Sequence, residues 1–86
     1  MDLFQAMQVF VHVVENHSFT KAATTLSMAR SSVTATVQNL EKHLSVRLFN
    51  RTTRRVDLTP AGACYYQSVC RIFHDLEQAE QSLLPS

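Results

Sequence analysis

Apolar residues recur along most of this chain at helical spacing. Leu3, Met7, Phe10, Val11 and Val14 fall at i, i+4, i+7, i+8 and i+11, a single stripe that predicts a first helix over residues 2–16. Asp2, with Gln5 three positions on, resembles a capping box at its start. Val9 and Val13 would suit a strand locally, but the length of the periodic run favours a helix. After the turn Asn16-His17-Ser18, Ser18 is a good N-cap for a short second helix. Phe19, Ala22, Ala23 and Leu26 form its apolar face, and the paired alanines allow another helix to approach closely. Ser27-Met28-Ala29 then interrupts the pattern.

A third helix of about fifteen residues follows, near 30–44. Val33, Val37, Leu40 and Leu44 make one narrow core stripe. Ser31, Ala35, Gln38 and Lys42 lie opposite, flanked by Arg30 and Thr34. The first half of this helix is rich in Ser and Thr, which are mediocre helix formers, so packing rather than propensity must hold it. A helix inserted in a nucleic-acid groove is one reason for such residues, because small side chains let the backbone approach and hydroxyls bond to bases or phosphates. A polar surface helix is the plainer alternative, and the pattern alone leaves both open.

Two short β-compatible runs, Val46-Arg47-Leu48-Phe49-Asn50 and Val56-Asp57-Leu58, flank the tip Arg51-Thr52-Thr53-Arg54-Arg55 and read as a hairpin. Three arginines in five residues repel one another unless an anion balances them; a wing on a phosphate backbone or minor groove would do so. Thr59-Pro60 is a strong helix start, with Thr as N-cap and Pro at the first helical position. The last helix is expected from Pro60 to about Leu83. Tyr65, Val69, Ile72, Leu76, Ala79 and Leu83 are spaced like a heptad seam, with Tyr66, Cys70 and Phe73 widening the face over the first half. So long a seam overshoots a small head, and its far half is expected to be an association surface.

Composition narrows the picture. With 86 residues there is room for one small core, which excludes a multi-domain enzyme. One Gly and two Pro fit long helices and short connections. No apolar run approaches the roughly 20 residues of a membrane span, and the start lacks the basic region of a signal peptide, so a cytoplasmic, nucleoid-associated protein without membrane partners is expected. Cys64 and Cys70 are expected on different sides of one helix and cannot bridge each other within it. Net charge is only +1, but residues 21–58 hold seven basic side chains (Lys21, Arg30, Lys42, Arg47, Arg51, Arg54, Arg55) against Glu41 and Asp57. That excess suggests an anionic partner for the middle of the chain. Cys70 and His74 have an i, i+4 spacing that can hold a metal, but no further ligands are evident and no nucleophile–base pairing is suggested. No cofactor, metal or catalytic residue is expected. A winged helix used only for protein association is the other class to weigh, and the Arg51–Arg55 cluster suits it poorly.

The words themselves are also distinctive. Ser18-Phe19-Thr20-Lys21-Ala22-Ala23 through Leu26, then Val33-Thr34 and Val37, closely resembles the signature of LysR-type regulators. So does Leu40-Glu41 through Leu44, with Val46-Arg47-Leu48-Phe49-Asn50-Arg51-Thr52 and Leu58-Thr59-Pro60-Ala61-Gly62 after it. The match covers essentially the whole chain. It implies a mainly α fold, a winged helix-turn-helix with a three-helix core and a two-stranded wing, followed by a long linker and dimerisation helix. Residues 1–59 would bind DNA and 60–86 would link two copies. The resemblance implies a homodimeric bacterial transcription regulator on double-stranded operator DNA, with the third helix in the major groove and the wing on the minor groove and backbone. Carried over, the base-contacting positions are Arg30, Ser31, Thr34, Ala35 and Gln38. Backbone and wing contacts are Ser18, Thr20, Lys21, Arg51, Thr53, Arg54 and Arg55, and dimerisation falls to Tyr65, Val69, Ile72, Leu76, Ala79 and Leu83.

The sequence departs from the family pattern at several of these places. Ala29 stands where Ser is usual, so the usual N-cap of the third helix is missing; Ser27 or Ser31 could replace it and shift the helix start. Arg30-Ser31 stands where a Gln commonly precedes Pro or Ser, and Arg at a groove-facing site favours guanine. Ala35 replaces a frequent Arg and leaves only apolar contact, such as to a thymine methyl. Ser45 replaces a common Gly. The family also carries a larger effector-binding domain after the linker helix, so these 86 residues are expected to bind DNA without sensing a small-molecule effector.

Overall fold

The computed structural model describes residues 1–50 and 56–85. Its order is α1 (Leu3–Asn16), α2 (Phe19–Leu26), α3 (Arg30–Leu44), β1 (Phe49–Asn50), β2 (Asp57–Leu58) and α4 (Pro60–Gln81). The cap residues explain these bounds. The Asp2 carboxylate accepts from Gln5 N at 3.1 Å and the Ser18 hydroxyl from Lys21 N at 3.1 Å, each satisfying an orphan donor of a first turn. Three helices end on a left-handed residue that is not glycine: His17 (φ 53°), Ser27 (φ 56°) and Ser45 (φ 59°). Ser27 and Ser45 sit in Schellman turns, with Met28 N bonding back to Ala23 O at 2.9 Å and Val46 N to Glu41 O at 3.2 Å. A left-handed L-residue costs about 1–2 kcal/mol, which these paired bonds offset. Ser45 therefore takes the conformation for which Gly is the commoner choice.

The third helix begins at Arg30, as its polar start suggested, but neither serine replaces the missing cap. Ala29 holds cap geometry (φ −67°, ψ 144°) with no side-chain bond. Ser27 is already committed to ending α2.

The core gathers where α1, α2 and α3 meet and α4 crosses α1. Ala6, Val9, Phe10, Val13, Ala22, Val33, Val37, Leu40, Leu48, Phe49 and Val69 are all buried. Phe10 is central, its ring 5.5 Å from those of both Phe49 and Tyr65. Phe49 also meets Phe19 edge-on at 5.5 Å. Burying a ring of this kind stabilises by about 1.5–3 kcal/mol. The expected stripe of α1 needs correction: Leu3 is exposed, whereas Val9 and Val13 are buried. The reason is that α1 packs against α2, α3 and α4 on different sides, so it buries far more than one stripe.

The ribbon is antiparallel, with Phe49 opposite Leu58 and Asn50 opposite Asp57. It is shorter than the β-compatible runs, because Val46, Arg47 and Leu48 are spent on turning out of α3. The tip residues 51–55 lie outside the described residues. Helix α4 starts as expected, Thr59 Oγ1 accepting from Gly62 N at 3.0 Å with Pro60 in the first turn, and ends at Gln81, two residues short of Leu83. Gly62 is required here for close approach: a Cβ at this position would overlap the Leu48 carbonyl oxygen. The whole is the expected architecture, a three-helix core with a two-stranded wing and a long carboxy-terminal helix.

Candidate nucleic-acid interface

The two sides of α3 differ as the sequence suggested. Val33, Val37 and Leu40 have no exposed surface, and Leu44 is half-buried. Arg30, Ser31, Ala35, Gln38 and Lys42 are exposed, and Thr34 is half-buried beside them. With Ala29 supplying no side-chain oxygen, the first turn of α3 is bordered by the Arg30 guanidinium and the Ser31 hydroxyl rather than by a cap. In α2, Thr20 and Lys21 are exposed, while half-buried Ser18 uses its oxygen to cap that helix. Among the described residues from 18 to 50, Lys21, Arg30, Lys42 and Arg47 are exposed cations, and the one carboxylate, Glu41, is buried. The exposed formal charges of this stretch are therefore all positive, and the open side of α3 is mostly polar. Arg51, Thr53, Arg54 and Arg55, the expected wing contacts, lie outside the described residues.

Glu41 is the residue that reading the sequence missed, since it was counted only as a surface charge against the basic residues. Its Oε2 accepts from Leu48 N at 2.7 Å and from Phe49 N at 3.4 Å. Those amides leave α3 for the ribbon, so the carboxylate ties the two together. A signal existed: Glu41 lies four residues after Val37, on the apolar stripe rather than opposite it. Thr59 likewise does more than cap α4, because its hydroxyl also donates to Arg47 O.

The predicted seam of α4 divides in two. Val69 is fully buried and Tyr65 packs on Phe10, so both belong to the protomer core. Ile72 (50 % exposed), Leu76 (43 %), Ala79 and Leu83 (83 %) stay open, Leu83 in the turn beyond the helix. Phe73 meets Phe4 of α1 edge-on at 5.5 Å, which continues the open patch onto the start of α1. On the other flank of α4, Tyr66 OH donates to Glu15 at 3.2 Å. Its hydroxyl pKa is pushed up to about 12, first by hydrogen bonding with Cys70, then by burial and the negative charge of Glu15. Burial also raises that of Tyr65. Cys70 and His74 line a groove between α1 and α4 with His12 and Glu15. Among the described residues no three His, Cys, Asp or Glu side chains are placed to hold a metal, and no helix is long and apolar enough to cross a membrane.

Two helices joined by a short turn, the second outwardly polar, then a ribbon and a long helix, define a winged helix-turn-helix protein. Residues 4–63 match the profile of the bacterial regulatory helix-turn-helix protein, lysR family. The chain belongs to that family, whose members are transcription regulators. It is 45% identical over 83 residues to the HTH-type transcriptional activator AaeR of Escherichia coli K12, covering 96% of this chain and 27% of AaeR. It is equally 45% identical, over 80 residues, to the regulator CrgA of Neisseria meningitidis serogroup B, covering 93% of this chain and 27% of CrgA. The chain thus spans about a quarter of the length of these curated relatives. Among solved structures it resembles the BenM DBD in a complex with catB site 1 DNA, with TM-score 0.88 and 37% identity over 94% of this chain and 86% of that one. It also superimposes on full-length BenM with TM-score 0.86 and 37% identity, covering 94% of this chain and 26% of BenM.

Proposed function

We propose that this chain binds double-stranded DNA sequence-specifically, as the reading unit of a transcription regulator. The observation that carries the reading is the two-sidedness of α3: one side fully buried, the other small, polar and cationic at its start. In this reading α3 enters the major groove, with Arg30, Ser31, Thr34, Ala35 and Gln38 facing base edges. Ser18, Thr20 and Lys21 lie along phosphates, and Arg51, Thr53, Arg54 and Arg55 reach the minor groove and backbone. That the similar BenM DBD forms a complex with catB site 1 DNA supports the DNA-binding reading. Residues 1–59 do the reading and 60–86 join two copies through Ile72, Leu76, Ala79 and Leu83, while Tyr65 and Val69 brace that helix from within. The open apolar face of α4 beyond Phe73 supports the homodimer. No catalytic step and no cofactor belong to the reading; it places the protein in the cytoplasm on the nucleoid, with any effector bound by a further domain of the kind the longer relatives leave room for.

Selection of bound sequences from a random duplex pool, followed by affinity measurement across salt, tests this directly. A two-fold-related motif with affinity falling steeply with salt is expected, since each neutralised phosphate releases counterions. A featureless pool, or affinity indifferent to salt, would overturn the reading. Arg30→Ala then separates base from backbone contact: a loss of about 1–3 kcal/mol on the selected site with little change on random DNA is expected. Equal losses on both would make Arg30 a phosphate anchor.

A further inference from the structure

The segment 47–49 is held from every side. Its N–H groups, from Leu48 and Phe49, point at the Glu41 carboxylate of α3. Its carbonyls point the other way: Leu48 O accepts from Thr59 N at 3.0 Å, and Arg47 O accepts from the Thr59 hydroxyl. Gly62 in the first turn of α4 closes on the same Leu48 carbonyl, with no side chain to hold it off. The two peptide units on either side of Leu48, each with its N–H on Glu41 and its carbonyl on Thr59, thus link the helix proposed to read DNA to the helix proposed to join two copies.

The two helices have little else to fix their mutual angle. The main packing of α3 is on α1 and α2, and that of α4 is on α1 and β2. Their shared neighbour α1 holds both mainly through apolar contacts, which are non-directional and tolerate small rotations, with one exposed hydrogen bond, Tyr66 to Glu15 at 3.2 Å, on α4. Hydrogen bonds do not: they weaken steeply as their angle falls, and the charge-assisted bond to Glu41 at 2.7 Å is of the strong kind.

We propose that Glu41 and Thr59 are positioning residues that set the angle between α3 and α4 through the two peptide units flanking Leu48, and with it the half-site separation a dimer accepts. The inference rests on the DNA-binding and dimer reading above. Adding one base pair between half-sites turns one of them by roughly a tenth of a turn about the duplex axis. A stiff link must answer that with lost contacts; a loosened one can follow.

The test uses the 86-residue chain and duplexes carrying the selected half-sites at separations changed one base pair at a time, together with a duplex bearing one half-site. The parent should show one optimum, with a penalty on the order of tenfold for a one-base-pair change, comparable to a poor base pair. Glu41→Ala and Thr59→Ala should flatten the profile to about twofold with single-half-site affinity unchanged, whereas Thr59→Ser, which keeps the hydroxyl, should retain it and Glu41→Gln, which keeps one acceptor oxygen without the charge, should fall between parent and alanine. Circular dichroism checks each variant for folding. If Glu41→Ala does not fold, Thr59→Ala decides, because it leaves the buried carboxylate in place. Folded alanine variants that keep the parent's optimum and sharpness would overturn the positioning role. A parent with no preferred separation would instead overturn the dimer reading and this inference with it.

Discussion

Ala29 has the backbone of a helix cap and no side chain to act as one. Ser in that geometry would accept from an orphan amide in the first turn of α3 and stabilise by about 1 kcal/mol. Ala29→Ser should raise the melting temperature by roughly 4–8 °C; an unchanged midpoint would mean that those amides are already satisfied. Other single residues show where sequence reasoning stops. The narrow stripe Val33, Val37, Leu40 was legible because α3 is buried along one line. Glu41 was not, since its role depends on amides seven and eight positions away that only the folded turn brings to it. Ser27 and Ser45 were equally hard to place. A left-handed serine looks the same in sequence as a capping one, and the hydrogen bonds that tip the balance arise from the Schellman turns.

Among the elements, helix α1 was recognised but its buried face was misjudged. A helix packed by three partners shows no clean period, so Val9 and Val13 read as a local strand signal when they are core residues. The ribbon was placed correctly and made too long, because Val46 to Leu48 have strand-forming side chains in a segment whose path is dictated by Glu41 and Thr59. Where α1 meets α4, the Tyr66 hydroxyl has a chemical consequence. Its pKa is raised from 10.0 to about 12 by Cys70, burial and Glu15, so the folded state keeps a proton that the unfolded chain gives up earlier. Stability from this group is fully present below pH 10 and is lost as pH rises toward 12. Tyr66→Phe should therefore flatten the fall in stability over that window, as read from urea midpoints at successive pH values. An equally steep fall in the variant would assign the alkaline limit to other groups.

For the molecule as a whole, the family words reached further than periodicity did. Patterning alone left α3 open between a polar surface helix and a groove reader, whereas Ser18 to Ala23 and Leu58 to Gly62 identified the architecture the structure has. The far half of the α4 seam was read as an association surface, and the resemblance added Tyr65 and Val69 from its first half, which the three-helix head claims. Of the seam positions, Ile72, Leu76, Ala79 and Leu83 stay exposed. Under the proposed dimer, Leu76→Glu should shift sedimentation from dimer to monomer while leaving the head folded, because Leu76 is exposed and is not among the buried core residues. Dimers that persist in this variant would put the contact elsewhere.

Beyond Phe73, α4 runs on to Gln81 with every residue exposed. The packed first half of α4 supplies the nucleus for this stretch, but an end with no packing of its own gains little per residue in water and frays. Its backbone order is therefore set by whatever covers it. Amides near Leu76 to Gln81 should exchange with solvent quickly in dilute protein and slowly in concentrated protein, while those of Val33 to Leu40 keep one rate throughout. The end of the helix would then act as a gauge of pairing, its protection rising and falling with the number of chains that have found each other.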